Sequence, residues 1–336
     1  MHSGKRRRRA SGFTLVELLA VIAIIGLLIS ILVPALSKVR EQGKKVSTQN
    51  LLGVLGKGCE MFQVDFQRYP RSAGGNPFEA STYPVDLTTW PSIPLSGAQW
   101  LILELAGANF LGYVSPGDVR TYDTNGDGQI NDADWLKYYD PNAPSQYRRW
   151  GPYIPTTGRN LQSPEANAVE ANRRADLPQL LDPCQPAAGT SIWNNGKLPM
   201  AVDAFRFPVL YYAANDQAKF PFCDDWTATP RKVGRYDQLD NLAFTDSDVP
   251  TPEPPTVPSY YNLSGTGKQH PFGKLGWIST SSGTISDPQT FAGRIHDPGV
   301  FGSGTTGKVW PRRADSFLLV SPGPDGLYGT EDDITN

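Results

Sequence analysis

The sequence predicts an α+β fold: a long N-terminal helix, its first half membrane-spanning, packed on a loop-rich head with a small antiparallel β-sheet. Three observations carry this. Residues 13–36 are almost wholly apolar, residues 37–67 hold an apolar stripe at helical spacing, and the whole chain of 336 residues contains 33 glycines and 30 prolines. Glycine and proline at that density interrupt long elements, so short strands between turns are expected beyond the helix.

As a helix rising 1.5 Å per residue, residues 13–36 would extend roughly 36 Å, enough to cross a hydrocarbon core of about 30 Å. The exception in this run is Glu17. A carboxylate in lipid is costly, which makes it a functional residue by default. The basic block of residues 5–9 in front would be held on the cytoplasmic face, so the run points outward. A secretory signal peptide would be shorter, would carry no acid near its start and would end in a small-x-small exit.

Beyond the apolar run, Leu52, Leu55, Cys59, Phe62 and Phe66 recur in steps of three and four and form one narrow stripe that packs on the head. The helix is expected to reach about Gln67, where Arg68-Tyr69-Pro70 ends it, because the residue before proline is pushed out of the helical region. Pro34 is expected to kink or locally melt it.

The string Gly12-Phe13-Thr14-Leu15-Val16-Glu17 resembles the class III signal of type IV pilins and type II secretion pseudopilins. The resemblance implies a leader at 1–12, a membrane and filament-core helix at 13–36, the amphipathic second half of the pilin helix at 37–70, and a periplasmic or extracellular head at 71–336. It implies cleavage after Gly12 by a prepilin peptidase, N-methylation of Phe13, and a register role for Glu17, which would neutralise the Phe13 ammonium of a neighbouring subunit. The implied partners are further copies of the chain, other pseudopilins and an inner-membrane assembly platform. The implied location is the bacterial inner membrane, crossed once with the N-terminus cytoplasmic and the head periplasmic, and then a periplasmic or cell-surface filament.

In the head, residues 72–95 read as irregular and residues 98–111 as a short helix. Residues 123–134 have the spacing of an EF-hand calcium loop: Asp123, Asn125, Asp127, Asn131 and Asp134 supply oxygens, Gln129 holds the seventh place, and Gly128 permits the sharp turn. The terminal Asp134, where an EF-hand has glutamate, is similar to the dockerin form. No entering helix is legible before the loop.

Two later segments are similar to major pseudopilins. Asp203-Ala204-Phe205-Arg206-Phe207-Pro208 resembles an Asp-Pro-Trp-Gly-x-Pro segment, with alanine and arginine in place of proline and glycine. Residues 317–320 read as a short buried strand leading into Ser321-Pro322-Gly323-Pro324-Asp325-Gly326-Leu327 and an acidic cluster. That segment resembles the C-terminal calcium loop of the same family, which implies Asp325, Asp332, Asp333 and Ser321 as side-chain ligands of Ca2+ and Leu327 as a carbonyl ligand.

Composition and motifs exclude several classes. A net charge of -2 argues against general nucleic-acid affinity. There is no His-Glu-x-x-His, no Gly-x-Ser-x-Gly and no phosphate-binding glycine loop, so nothing selects an enzyme. His270 and His296 lie in Pro/Gly-rich stretches and read as surface residues. Cys184 and Cys223 are candidates to pair, and an odd count of three leaves at least one thiol. An alternative function is a displayed adhesin or carbohydrate-binding module, gripping sugar with Trp90, Trp100, Trp135 and Trp150.

Overall fold

The computed structural model describes residues 15–72, 96–107, 110–115, 148–157, 160–162, 199–218, 220–222, 234–245, 270–273, 278–279, 284–285, 291–301 and 310–336. The chain divides into two compact units, Met1–Val46 and Ser47–Asn336. Helix α1, Leu15–Phe66, runs for 52 residues and passes Pro34 without a break, so the expected local melting there does not occur. In the first unit it is long and apolar enough to cross a membrane, and none of the residues in its most apolar window is buried.

In the second unit the predicted stripe is observed. Leu52, Leu55, Cys59 and Phe62 are buried, while Phe66 is half-buried and stacks on Phe62 with ring centroids 4.3 Å apart. The helix stops at Phe66, and Gln67 follows with φ 56°. Helix α2, Gly97–Ala106, is capped by Ser96, whose hydroxyl accepts from Gln99 N, while the Gln99 side chain returns to Ser96 N. All ten of its residues are buried. It ends at Gly107, where φ is 79° and an added Cβ would lie 2.0 Å from Gly112 O.

The central sheet has three antiparallel strands in the order β3–β8–β9: β3 Leu210–Ala213, β8 Phe317–Ser321 and β9 Ile334–Thr335. Leu210 pairs with Val320 and Ser321 with Ile334. Strand side chains alternate between faces. Here Tyr211, Phe317 and Leu319 join Leu52, Leu55, Phe62, Leu101 and Leu105 in one core. Leu210, Tyr212, Leu318 and Val320 join Tyr236, Phe244, Phe272, Phe291 and Tyr328 in the other. A strand covered on both faces is continuously apolar, which is why residues 317–320 read as a buried strand.

The remaining strands are short: β1 Leu161–Gln162 with β2 Met200–Ala201, β4 Phe220–Phe222 parallel to β5 Gly234–Tyr236, and β6 Ile278–Ser279 with β7 Thr284–Ile285. Helix α3 is Leu242–Thr245, α4 is Phe291–Ile295 and α5 is Pro298–Phe301.

Candidate functional site

The C-terminal loop leaves β8 at Ser321 and rests on the turn formed by residues 203–208. Asp203 builds that turn. Its Oδ1 accepts from Phe205 N at 2.8 Å and Phe207 N at 2.9 Å, and its backbone N–H donates to Phe207 O at 2.8 Å. Its Oδ2 accepts the Ser321 hydroxyl at 2.6 Å, so one buried carboxylate ties the turn to the end of β8. Burial pushes the Asp203 carboxyl up to about 6 despite these hydrogen bonds.

Two further tethers join turn and loop. The Tyr328 hydroxyl donates to Pro208 O at 2.7 Å, and Gly326, at φ 74°, lies so close to the Phe207 ring that a Cβ would sit 2.4 Å from it. On the other side Tyr328 N donates to His270 Nδ1 at 3.2 Å, and Phe272 N donates to Tyr328 O at 3.1 Å. His270 is therefore a buried packing residue, contrary to the surface position expected from its Pro/Gly-rich context. Burial lowers it to about 4, so it stays neutral.

Oxygen atoms gather inside the loop. The Thr330 hydroxyl lies 3.1 Å from Leu327 O, 2.5 Å from Asp332 Oδ1 and 3.5 Å from Asp333 Oδ1. A hydroxyl has one proton to give, so it cannot satisfy all three acceptors. Asp325 Oδ1 accepts from Leu327 N at 2.8 Å, Asp332 Oδ2 from Asp325 N at 3.3 Å, and Asp333 Oδ2 from Gly329 N at 2.8 Å. Burial, with Asp332 alongside, raises the Asp325 carboxyl, and burial pushes Asp333 up to about 7.

The structure thus brings Asp325, Leu327, Asp332 and Asp333 together, and it adds Thr330. Ser321 gives its hydroxyl proton to Asp203, and its oxygen lies 3.4 Å from Gly323 N. An all-oxygen set on a glycine-rich loop has the chemistry that suits calcium. Among the described residues no three His, Cys, Asp or Glu side chains form a ready metal-holding group, so Thr330 and the Leu327 carbonyl would have to complete the set.

The Asp123–Asp134 loop residues, including Asn125, Asp127, Gln129 and Asn131, lie outside the described residues. So do Gly12, Phe13, Cys184 and Cys223, and likewise Trp90 and Trp135. Cys59 is a buried free thiol. Trp100 is fully buried in α2 and presents no face to a sugar, and Trp150 is half-buried with its ring centroid 5.0 Å from that of Phe66. Glu17 lies in the first turn of α1 and is exposed. Asp203 stood in the first pseudopilin-like segment without a role, Thr330 was not among the expected ligands, and only the fold shows what they touch. His270 had no sequence signal.

Residues 7–33 match the prokaryotic N-terminal methylation motif. The type II secretion system core protein G of Klebsiella michiganensis is 31% identical over 108 residues, 29% of this chain and 76% of that protein. The chain belongs to the core protein G family of pilin-like pseudopilins. The core protein G of Aeromonas hydrophila is 36% identical over 70 residues, 21% of this chain and 49% of its own length. The type IV wide pilus major component PilA4 of Thermus thermophilus is 42% identical over 62 residues, 18% of this chain and 47% of its own. The pseudopilin thus spans about half the length of the Aeromonas relative, and no solved structure matches it. By name, these relatives are a core protein of a secretion system and a major component of a pilus.

Proposed function

We propose that the chain is a type II secretion pseudopilus subunit cut after Gly12 by a prepilin peptidase, methylated at Phe13 and polymerised through α1. On this reading the precursor sits in the inner membrane with its head periplasmic, and it assembles with further copies and other pseudopilins on a membrane platform. The observation that carries the proposal is the methylation-motif match over residues 7–33 at the start of a helix long and apolar enough to cross a membrane. Glu17 lies in the first turn of that helix, and an acid inside an apolar span is tolerated only if paired, which supports a register role. The head is held by Ca2+ at Asp325, Asp332, Asp333, Thr330 and the Leu327 carbonyl, with Ser321 as a tether. A second Ca2+ at residues 123–134 follows from spacing alone.

The test is assembly. Glu17→Ala should leave the chain in the membrane but abolish or strongly reduce sheared filaments, whereas wild-type filament yield from that variant contradicts the register role.

A further inference from the structure

Five cations lie on α1, and four of them, Lys38, Arg40, Lys44 and Lys45, fall within eight residues directly beyond the apolar run. Against them stands one acid, Glu41, whose Oε1 lies 3.0 Å from Lys45 Nζ, leaving the segment at +3. At about 100° per residue the four cations occupy an arc of roughly 160° on the helix, and Glu41 lies in the same arc. Val39, Gly43 and Val46, spaced i, i+4 and i+7, occupy the opposite side. Val39 and Val46 are 67% and 47% exposed, and nothing lies within 4 Å of a Cβ added at Gly43. This stretch of helix therefore has one basic side and one small, apolar side.

The register says what the basic side meets. Counting from Leu36, the cations stand about 3 to 14 Å further along the helix axis. With α1 crossing the bilayer, that interval begins in the headgroup layer and ends within a Debye length of it. Long Lys and Arg stems can extend toward that layer while their heads stay solvated. A second copy inserted in parallel at the same depth would bring the same four cations, so contact through the basic arc would be repulsive. The neutral arc carries no such cost.

We propose that Lys38, Arg40, Lys44 and Lys45 bind the phosphate headgroups of anionic phospholipids on the side of the membrane where the head lies, holding the unassembled subunit at a fixed depth. This inference rests on the membrane-spanning reading of α1. The full chain in phosphatidylcholine vesicles doped with spin-labelled phosphatidylglycerol or phosphatidylcholine provides the test. The wild-type chain should immobilise the anionic probe in preference to the neutral one by about five-fold or more, the equivalent of one or more cations near an anionic surface. High salt should bring the ratio toward one, and the fourfold variant K38Q/R40Q/K44Q/K45Q should lower it at low salt. The basic block at residues 5–9 is the same in both chains and cancels in the comparison. A variant with the wild-type preference overturns the proposal, and if that variant also fails to form filaments, the cations serve a protein contact instead. Carbonate extraction separates the two readings: release of the wild-type chain refutes the membrane span itself, whereas retention with indistinguishable lipid ratios refutes only the headgroup contact.

Discussion

Arg68 and Glu104 form a two-armed ion pair, Nη1 to Oε2 at 2.9 Å and Nη2 to Oε1 at 2.8 Å, that locks the end of α1 onto the fully buried side chain of α2. Glu104 also accepts Arg71 N at 2.8 Å and the Tyr113 hydroxyl at 3.3 Å, so its oxygens are satisfied from several elements at once. The guanidinium covers the Phe62 ring at 5.1 Å, joining the pair to the core on the buried side of α1.

Glu104→Ala should therefore cost about 3 kcal/mol, because it leaves the half-buried Arg68 cation and several donors without the carboxylate they share. Glu104→Leu with Arg68→Met should recover part of that loss. Urea unfolding of the full chain in detergent measures both, and additive losses would show that the two residues act independently.

Ser321 and Thr330 separate two roles. Ser321→Ala should lower stability by about 1–3 kcal/mol through loss of the Asp203 tether and leave calcium affinity almost unchanged. Thr330→Val, close in shape, should weaken calcium binding. Isothermal titration on both variants decides this, and the reverse pattern would restore Ser321 as a ligand. Chelation of the wild-type chain should lower its melting temperature, as for any ion that binds only the folded state.

With EDTA present, stability should rise as the pH falls from about 7.5 to 5.5. Asp203 and Asp333 are raised by burial to about 6 and about 7, so in this window the folded chain binds more protons than an unfolded chain whose carboxyls titrate near 4. Their contribution is present at low pH and is lost as the pH climbs through those values. His270, lowered to about 4, opposes this below about 6.5 but accounts for one proton against two. With calcium in excess the trend should invert, since protons compete for the ligands. Thermal melts across this range with and without calcium check the sign, and a melting temperature that falls on acidification in EDTA contradicts the burial of these carboxyls.

Arg206 has φ 78°, a left-handed conformation that disfavours any residue with a Cβ. It stands where the resembling pseudopilin segment has glycine, the residue that adopts this conformation without a steric cost. Arg206→Gly should stabilise the chain by about 1 kcal/mol and raise its melting temperature. A drop instead would mean that the arginine side chain offsets the backbone strain with contacts of its own.

The long helix, its buried stripe and the strand at residues 317–320 were legible because each follows from a periodicity or an apolar run that a single segment carries. The stripe from Leu52 to Phe62 predicted the face, whereas periodicity placed the start of α2 one residue late and its end, at 111, five residues beyond Ala106. The C-terminal loop was legible as a set of residue types through resemblance. Its support was not: Asp203 lies 118 positions from Ser321, and His270 lies 58 from Tyr328, so no local pattern joins them. The resemblance implied Ser321 as a ligand, and the bond its hydroxyl makes to Asp203 was not legible in the sequence. His270 looked exposed because glycine and proline surround it, whereas packing against Tyr328, with ring centroids 5.2 Å apart, buries it.

The most direct measurement is the mass of the N-terminal peptide of the chain recovered from membranes of cells that contain the peptidase. Processing predicts a peptide that begins at Phe13 and is heavier by one methyl group. A mature chain that retains residues 1–12, or begins at any residue other than Phe13, contradicts its assignment as a filament subunit.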